Sequence, residues 1–195
     1  RQAFAQVTNP PIDPLREGIA MSLTTQLGKE TNIFHAGAET VNHVILNSPV
    51  LSQRKLRQLI KMPQYVDRNR LIDLSYSLDE GLKAGIERIC AEAEAAAREG
   101  IVMLLLSDRY PVADRPMVHA LLATSAVHHH LSNAGLRCDV NLILETGTAR
   151  DAHHMACLLG FGATAVYPYL AYQTLFDLGR RGILQLKKGG EQSQI

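Results

Sequence analysis

The chain contains no tryptophan, and its aromatic share is only 5%. That scarcity weighs against a stacking surface for nucleic-acid bases. A net charge of +1 over 195 residues argues for no special partner, with no concentrated basic field for nucleic acid and no polybasic or lipidation signal for a membrane. The longest apolar run, Ile101 to Leu106, is too short to span a bilayer, and no signal-peptide pattern is recognisable near Arg1. A cytoplasmic chain is expected. The three cysteines, Cys90, Cys138 and Cys157, are odd in number, widely separated and free of any C-x-x-C pair. They support neither a disulfide framework nor a zinc or iron–sulfur motif, and they read as reduced, buried thiols.

Proline, by contrast, is concentrated. Pro10, Pro11 and Pro14 fall within five positions, fix φ, remove three backbone donors and push Asn9 and Asp13 away from the α region. The segment must therefore be extended before it turns. Asp13 is placed to cap, Pro14 suits a first helical position, and Leu15, Ile19, Leu23 and Leu27 form a stripe up to Gly28. The spacing predicts a helix from Pro14 to Leu27, fed by a rigid strut that displays Thr8 and Asn9. Residues 1–70 read as connecting structure, with a short helix capped by Ser52 after Asn47-Ser48-Pro49.

From Leu71 the pattern becomes strand, turn and helix in repetition. Leu71 to Tyr76 reads as a strand, and Ser77 with Glu80 as a capping box for a helix carrying Leu82, Ile86, Ile89, Ala93 and Ala97 inward until Gly100. Ile101 to Leu106 has the unbroken apolar character of a strand buried on both faces. Asp114 and Pro116 are expected to open the next helix, with Val118, Leu121, Leu122 and Ser125 inward and a stop near Gly135. Val140 to Leu144 is a third strand, followed by a helix from a Thr148 cap to Leu159. Ala163 to Tyr167 is a fourth, followed by a helix to Arg181. Four βα units over 71–186 predict an α/β fold of parallel strands flanked by helices, either an open sheet or an incomplete, truncated barrel. Residues 187–195 form a polar tail.

In such folds chemistry gathers at the carboxyl ends of the strands. Here those ends carry Ser77, Ser107-Asp108-Arg109, Glu145-Thr146-Gly147-Thr148 and Tyr167-Pro168-Tyr169. Asp108 and Glu145 offer a carboxylate pair, Arg109 an anion holder, and the Gly147-Thr148 turn a source of backbone N–H groups. The bland reading makes Asp108 and Arg109 solvated turn residues, pairs Glu145 with a neighbouring loop and uses Thr148 as an ordinary cap. It is preferred because no nucleophile or cofactor motif accompanies these residues. His128-His129-His130 and His153-His154 point about 100° apart from residue to residue on a helix, so neither run closes on one ion, and no metal site is assigned.

The run from Phe4-Ala5-Gln6-Val7 through Thr8 to Glu17 closely resembles the central domain of the glutamate synthase large chain. Leu46-Asn47-Ser48-Pro49-Val50-Leu51, Gly147-Thr148-Ala149-Arg150, His153-His154, Leu159-Gly160-Phe161-Gly162-Ala163 and Pro168-Tyr169-Leu170-Ala171 agree, so the resemblance spans residues 1–186. It implies a non-catalytic section joining the glutaminase and FMN domains of the same large subunit and lining an internal ammonia tunnel. Glutamate is made there from glutamine and 2-oxoglutarate. By the same resemblance Thr8 and Asn9 form tunnel wall, with Arg16 and Glu17 holding the strut. FMN and a 3Fe-4S cluster belong to the rest of the parent enzyme, and no cofactor is expected in this chain. A small subunit or ferredoxin would be met through the parent enzyme. Two other classes remain open on the residues alone: a half-barrel enzyme or binding module for a small anionic metabolite, acting through Asp108, Arg109, Glu145 and Thr148, and an assembly scaffold.

Overall fold

Runs of Leu, Ile and Val too short for helices and bounded by Gly or Asn become strands when a neighbour satisfies their backbone groups. In the computed structural model, which describes residues 21–30, 34, 43–110 and 113–184, six strands form in this way. β1 (Thr25–Leu27) and β2 (Val44–Leu46) pair antiparallel as a small separate sheet. β3 (Asn69–Asp73), β4 (Met103–Ser107), β5 (Asn141–Glu145) and β6 (Ala165–Tyr167) make an open parallel sheet in the order β3-β4-β5-β6. Because each strand lies beside its predecessor, right-handed crossovers carry the intervening helices to one face.

Those helices are α2 (Gly81–Arg98), α3 (Ala120–Asn133) and α4 (Ala152–Gly160). Their Ile89, Ala93, Val127, Leu131 and Leu158 meet Ile72, Leu104, Leu106, Leu142 and Leu144 from the sheet in one apolar core. The alternate strand residues, Met103, Leu105, Ile143, Ala165 and Tyr167, face the opposite way. They are covered by Leu27, by Leu51, by Tyr65 and by Leu56 and Leu59 of α1 (Gln53–Ile60). The sheet is therefore buried on both faces, which is why β4 and β5 contain no exposed position. The β6 edge is also closed. Leu51 donates its N–H to Val166 O and Val166 donates to Pro49 O, both at 2.8 Å, giving Asn47-Ser48-Pro49 a structural task. α5 (Tyr169–Arg180) follows β6 and buries none of its residues fully, while Leu175 and Phe176 are exposed.

Several helix starts differ from the sequence expectation. The stripe read as a helix to Leu27 ends instead in β1, residues up to 20 lie outside the described set, and Leu23 is exposed. Thr24 and Thr25 are β-branched, and β2 supplies a pairing partner that local periodicity cannot register. Asp114 and Pro116 do not open a helix. Residues 116–118 pair instead with residues 74–76 just after β3, Tyr76 N–H to Pro116 O at 2.9 Å and Val118 N–H to Leu74 O at 2.8 Å, and α3 begins only at Ala120 under a His119 side-chain cap. Asp151, not Thr148, caps α4, accepting the His154 N–H at 2.9 Å. Leu82 and Leu122, expected inward, are 43% and 44% exposed; Gly85 and Ala123 take the inward places, and at Gly85 a Cβ would sit 2.6 Å from the Tyr76 side chain.

Ser52 caps α1 as read, accepting from Lys55 N–H at 3.3 Å. Glu80 accepts the Ser77 N–H at 3.4 Å, but the expected capping box does not form: Ser77 Oγ accepts from Asp79 N–H, and α2 begins at Gly81 with Glu80 in the cap position. All three cysteines are free, but only Cys90 is buried; Cys138 is exposed and Cys157 lies between. Among the described residues no helix is long and apolar enough to cross a membrane.

Candidate functional site

Parallel register decides what meets at the carboxyl end of the sheet. Asp73 lies beside Ser107, Ser107 beside Glu145 and Glu145 beside Tyr167, so four strands deliver one row of side chains. Side chains of one row in a parallel sheet share a face, here the face covered by α1. The next residues, Asp108 and Thr146, fall to the other side of the row.

Glu145 is 5% exposed and fully engaged. Its Oε2 accepts from Ser107 Oγ at 2.8 Å and its Oε1 from the Arg109 guanidinium at 2.7 Å. The carboxylate holds the Arg109 pKa above its ordinary value, against the opposing pull of burial. Arg109 lies within cation–π range of three rings, 5.5 Å from Tyr169, 5.7 Å from Tyr167 and 5.9 Å from Tyr110. With the Gln53 amide turned so that its oxygen faces the guanidiniums, that oxygen accepts from Arg109 at 3.3 Å and from Arg57 at 2.8 Å. The N-terminus of α1 is thereby tied to the strand ends.

Asp108 is buried too, at 8% exposure, and not a solvated turn residue. It accepts the Thr146 hydroxyl on Oδ2 and the Gly147 N–H on Oδ1 at 2.9 Å, while its own N–H donates to Glu145 O at 3.1 Å. The turn donors offered by Gly147 thus point at a carboxylate of the same chain. Thr148 Oγ1 lies 2.9 Å from Thr146 Oγ1, extending the network by one hydroxyl. Gly147 lets the Leu170 and Tyr169 side chains pack against the turn: a Cβ there would sit 2.6 Å from Leu170 Cδ1 and 2.9 Å from the Tyr169 hydroxyl. The Tyr169 hydroxyl faces Asp108 O at 3.4 Å, and burial, reinforced by the Asp108 charge, pushes its pKa up to about 12.

Asp108, Arg109, Glu145 and Thr148 therefore stand together, as the alignment of strand ends predicts. Sequence reasoning did not assign Thr146 to Asp108 or Gln53 to Arg109. The first was legible, since Ser107-Asp108 and Glu145-Thr146 occupy matching positions on successive strands; the second depends on how α1 packs and has no local signal. Chemically the cluster is a cross-strand brace. Each buried carboxylate already receives two hydrogen bonds from the protein, in Glu145 one of them from the Arg109 cation, and no side chain in the cluster is an obvious nucleophile.

The histidines are dispersed. His130 Nε2 meets Glu94 at 2.6 Å, His128 Nδ1 accepts from Arg137 Nε at 3.0 Å, and His153 Nε2 lies 3.7 Å from Cys157 Sγ. Among the described residues no three His, Cys, Asp or Glu side chains are grouped to hold a metal ion. Thr8, Asn9, Arg16 and Glu17 lie outside the described residues.

Comparison with known proteins places this geometry in context. Residues 1–194 match the family described as "Glutamate synthase central domain". The chain is 43% identical to ferredoxin-dependent glutamate synthase 2, chloroplastic, of Arabidopsis thaliana, with 89% of this chain and 11% of that protein covered. It is 41% identical to the NADPH glutamate synthase large chain of Bacillus subtilis, covering 94% of this chain and 12% of the relative. It is 40% identical to the NADH glutamate synthase of Schizosaccharomyces pombe, at 95% and 9%. The chain thus spans about a tenth of the length of these relatives. It belongs to the glutamate synthase central domain family.

Proposed function

We propose that this chain is the non-catalytic section that joins the glutaminase and FMN domains of a glutamate synthase large subunit and forms wall of the tunnel through which ammonia passes between them. The observation that carries the reading is the match of residues 1–194 to one section of enzymes about ten times longer. The strand-end geometry supports a structural role over a catalytic one, because Asp108 and Glu145 are occupied by Thr146, Gly147, Ser107 and Arg109. A tunnel wall has to exclude water and hold its shape without trapping or protonating its cargo. A braced α/β sheet buried on both faces meets that requirement.

Within this reading Thr8 and Asn9 are the tunnel residues, uncharged and next in sequence to Pro10 and Pro11. FMN and the 3Fe-4S cluster are assigned to the rest of the large subunit, and no step is routed through them by this chain's residues. A small subunit or ferredoxin would meet the parent enzyme elsewhere. The exposed Leu175 and Phe176 of α5, with Ile183 beyond it, supply apolar surface suited to a neighbouring domain. The test is Asn9→Ala in an intact glutamate synthase carrying this domain. Glutamine hydrolysis is expected to continue while glutamate formed per glutamine consumed falls. An unchanged ratio would reject the tunnel assignment.

A further inference from the structure

α1 carries a charge pattern that the net +1 of the whole chain conceals. Arg54, Lys55, Arg57 and Lys61 fall within eight residues, and no Asp or Glu occurs from residue 40 to residue 66. None of the four makes an ion pair among the described residues. Leu56 and Leu59 on the opposite side of the helix are buried against the sheet, so the cations are mounted on a fixed scaffold. Arg54, Arg57 and Lys61 stand at i, i+3 and i+7, a single line about 10 Å long. They border an open groove of about 590 Å³ that Gln58, Met62 and Pro63 also line.

We propose that this groove is the docking surface for an acidic segment of the same enzyme polypeptide, lying outside the present chain. The chain accounts for about a tenth of its relatives' length, so most of the surface that such a polypeptide offers lies beyond it. The occupant is polypeptide because the cations are strung along the helix instead of converging on a point, and Arg54, Arg57, Gln58 and Lys61 are all solvent-exposed. A single small anion would meet at most two of them, leaving the rest of the line unmatched. An extended strand presents alternate side chains on one side about 7 Å apart, so two or three carboxylates match the line, while Met62 and Pro63 take apolar side chains between them. The site also touches the brace, because Gln53 accepts from both Arg57 and Arg109.

Zero-length carbodiimide coupling of amines to carboxylates in the purified intact enzyme, followed by peptide mass mapping, tests this. Lys55 or Lys61 is expected to join an Asp- or Glu-rich peptide from elsewhere in the same polypeptide. The yield is expected to fall about tenfold in Arg54→Glu/Arg57→Glu and to fall with added salt. Lys83, with its side chain 92% exposed on α2, reports background coupling outside its own helix. Arg54→Gln/Arg57→Gln, which removes charge without adding repulsion, is expected to lower the yield in the same direction should the reversal disturb folding. Coupling at Lys55 and Lys61 no greater than at Lys83, coupling only to a second copy or another protein, or a yield indifferent to both variants would overturn the proposal. The outcome is independent of the tunnel: glutamate yield can stay normal while this docking is rejected.

Discussion

Arg109→Met isolates the energetic centre of the strand-end brace. It removes the cation at 2.7 Å from Glu145 and leaves that carboxylate, whose side chain is 6% exposed, with the Ser107 hydroxyl alone. Removing one partner of a buried pair costs about 3–5 kcal/mol, most of it the penalty of an uncompensated charge. The Arg109 side chain is 23% exposed and Ser107 keeps its bond, which sets the expected loss near the lower bound, about 3 kcal/mol. Glu145→Gln alone leaves the guanidinium beside three tyrosine rings and partly in water, so its cost is expected to be smaller. The double variant removes both charges and is expected to be more stable than Arg109→Met. Urea unfolding of the four proteins closes the double-mutant cycle, with an expected coupling of about 2 kcal/mol. Additivity within about 0.5 kcal/mol would refute the claim that these two residues brace β4 to β5 as a unit. So would a double variant less stable than Arg109→Met.

Two further perturbations probe other parts of the fold. Gly147→Ala places a methyl 2.6 Å from Leu170 Cδ1 and 2.9 Å from the Tyr169 hydroxyl, so these side chains must move aside; a loss of about 1–3 kcal/mol is expected in thermal unfolding, and a neutral result would show that the packing of Leu170 and Tyr169 against the turn does not contribute to stability. His128 has its pKa lowered by burial and then by the charge of Arg137, whose Nε donates to the neutral ring. Below the unfolded value of about 6.5 the unfolded chain takes up a proton that the folded ring resists, so stability is lost as pH falls through that value toward the folded pKa. His128→Gln is expected to flatten that part of the stability profile, and an unchanged slope would remove His128 as its source.

The βα repeat was legible because each strand is bounded by signals with a local cause. Gly100, Gly135 and Gly182 end helices with positive φ, and Ile101 to Leu106 is apolar on both faces because both faces are covered. Helix starts were less legible, since Asp114-Pro116 and Thr148 carry valid capping chemistry that tertiary pairing overrides. Val118 and Tyr76 bind the first segment into an extended bridge, and Thr148 is drawn into the Thr146 network, leaving Asp151 to cap. Leu27 shows the same conflict from the other side: its helical spacing with Leu23 is real, but the partner that makes it a strand is β2, separated from β1 by residues 28–43. In the site, Asp108, Arg109 and Glu145 followed from strand-end logic alone. Their consumption by each other and by Thr146 did not, because it requires the register of β4 against β5. The basic line on α1 was hidden by summing charge over the chain.

The most direct test of the tunnel assignment follows the nitrogen itself. An intact glutamate synthase carrying this domain is supplied with glutamine labelled with ¹⁵N in its amide, 2-oxoglutarate and an excess of unlabelled ammonium, and the label in the newly formed glutamate is measured. A sealed passage delivers labelled nitrogen undiluted in the parent, and Asn9→Ala is expected to leak, so that its glutamate carries visibly less label while glutamine is still hydrolysed. Equal labelling in parent and variant would contradict a role for Asn9 in the tunnel wall.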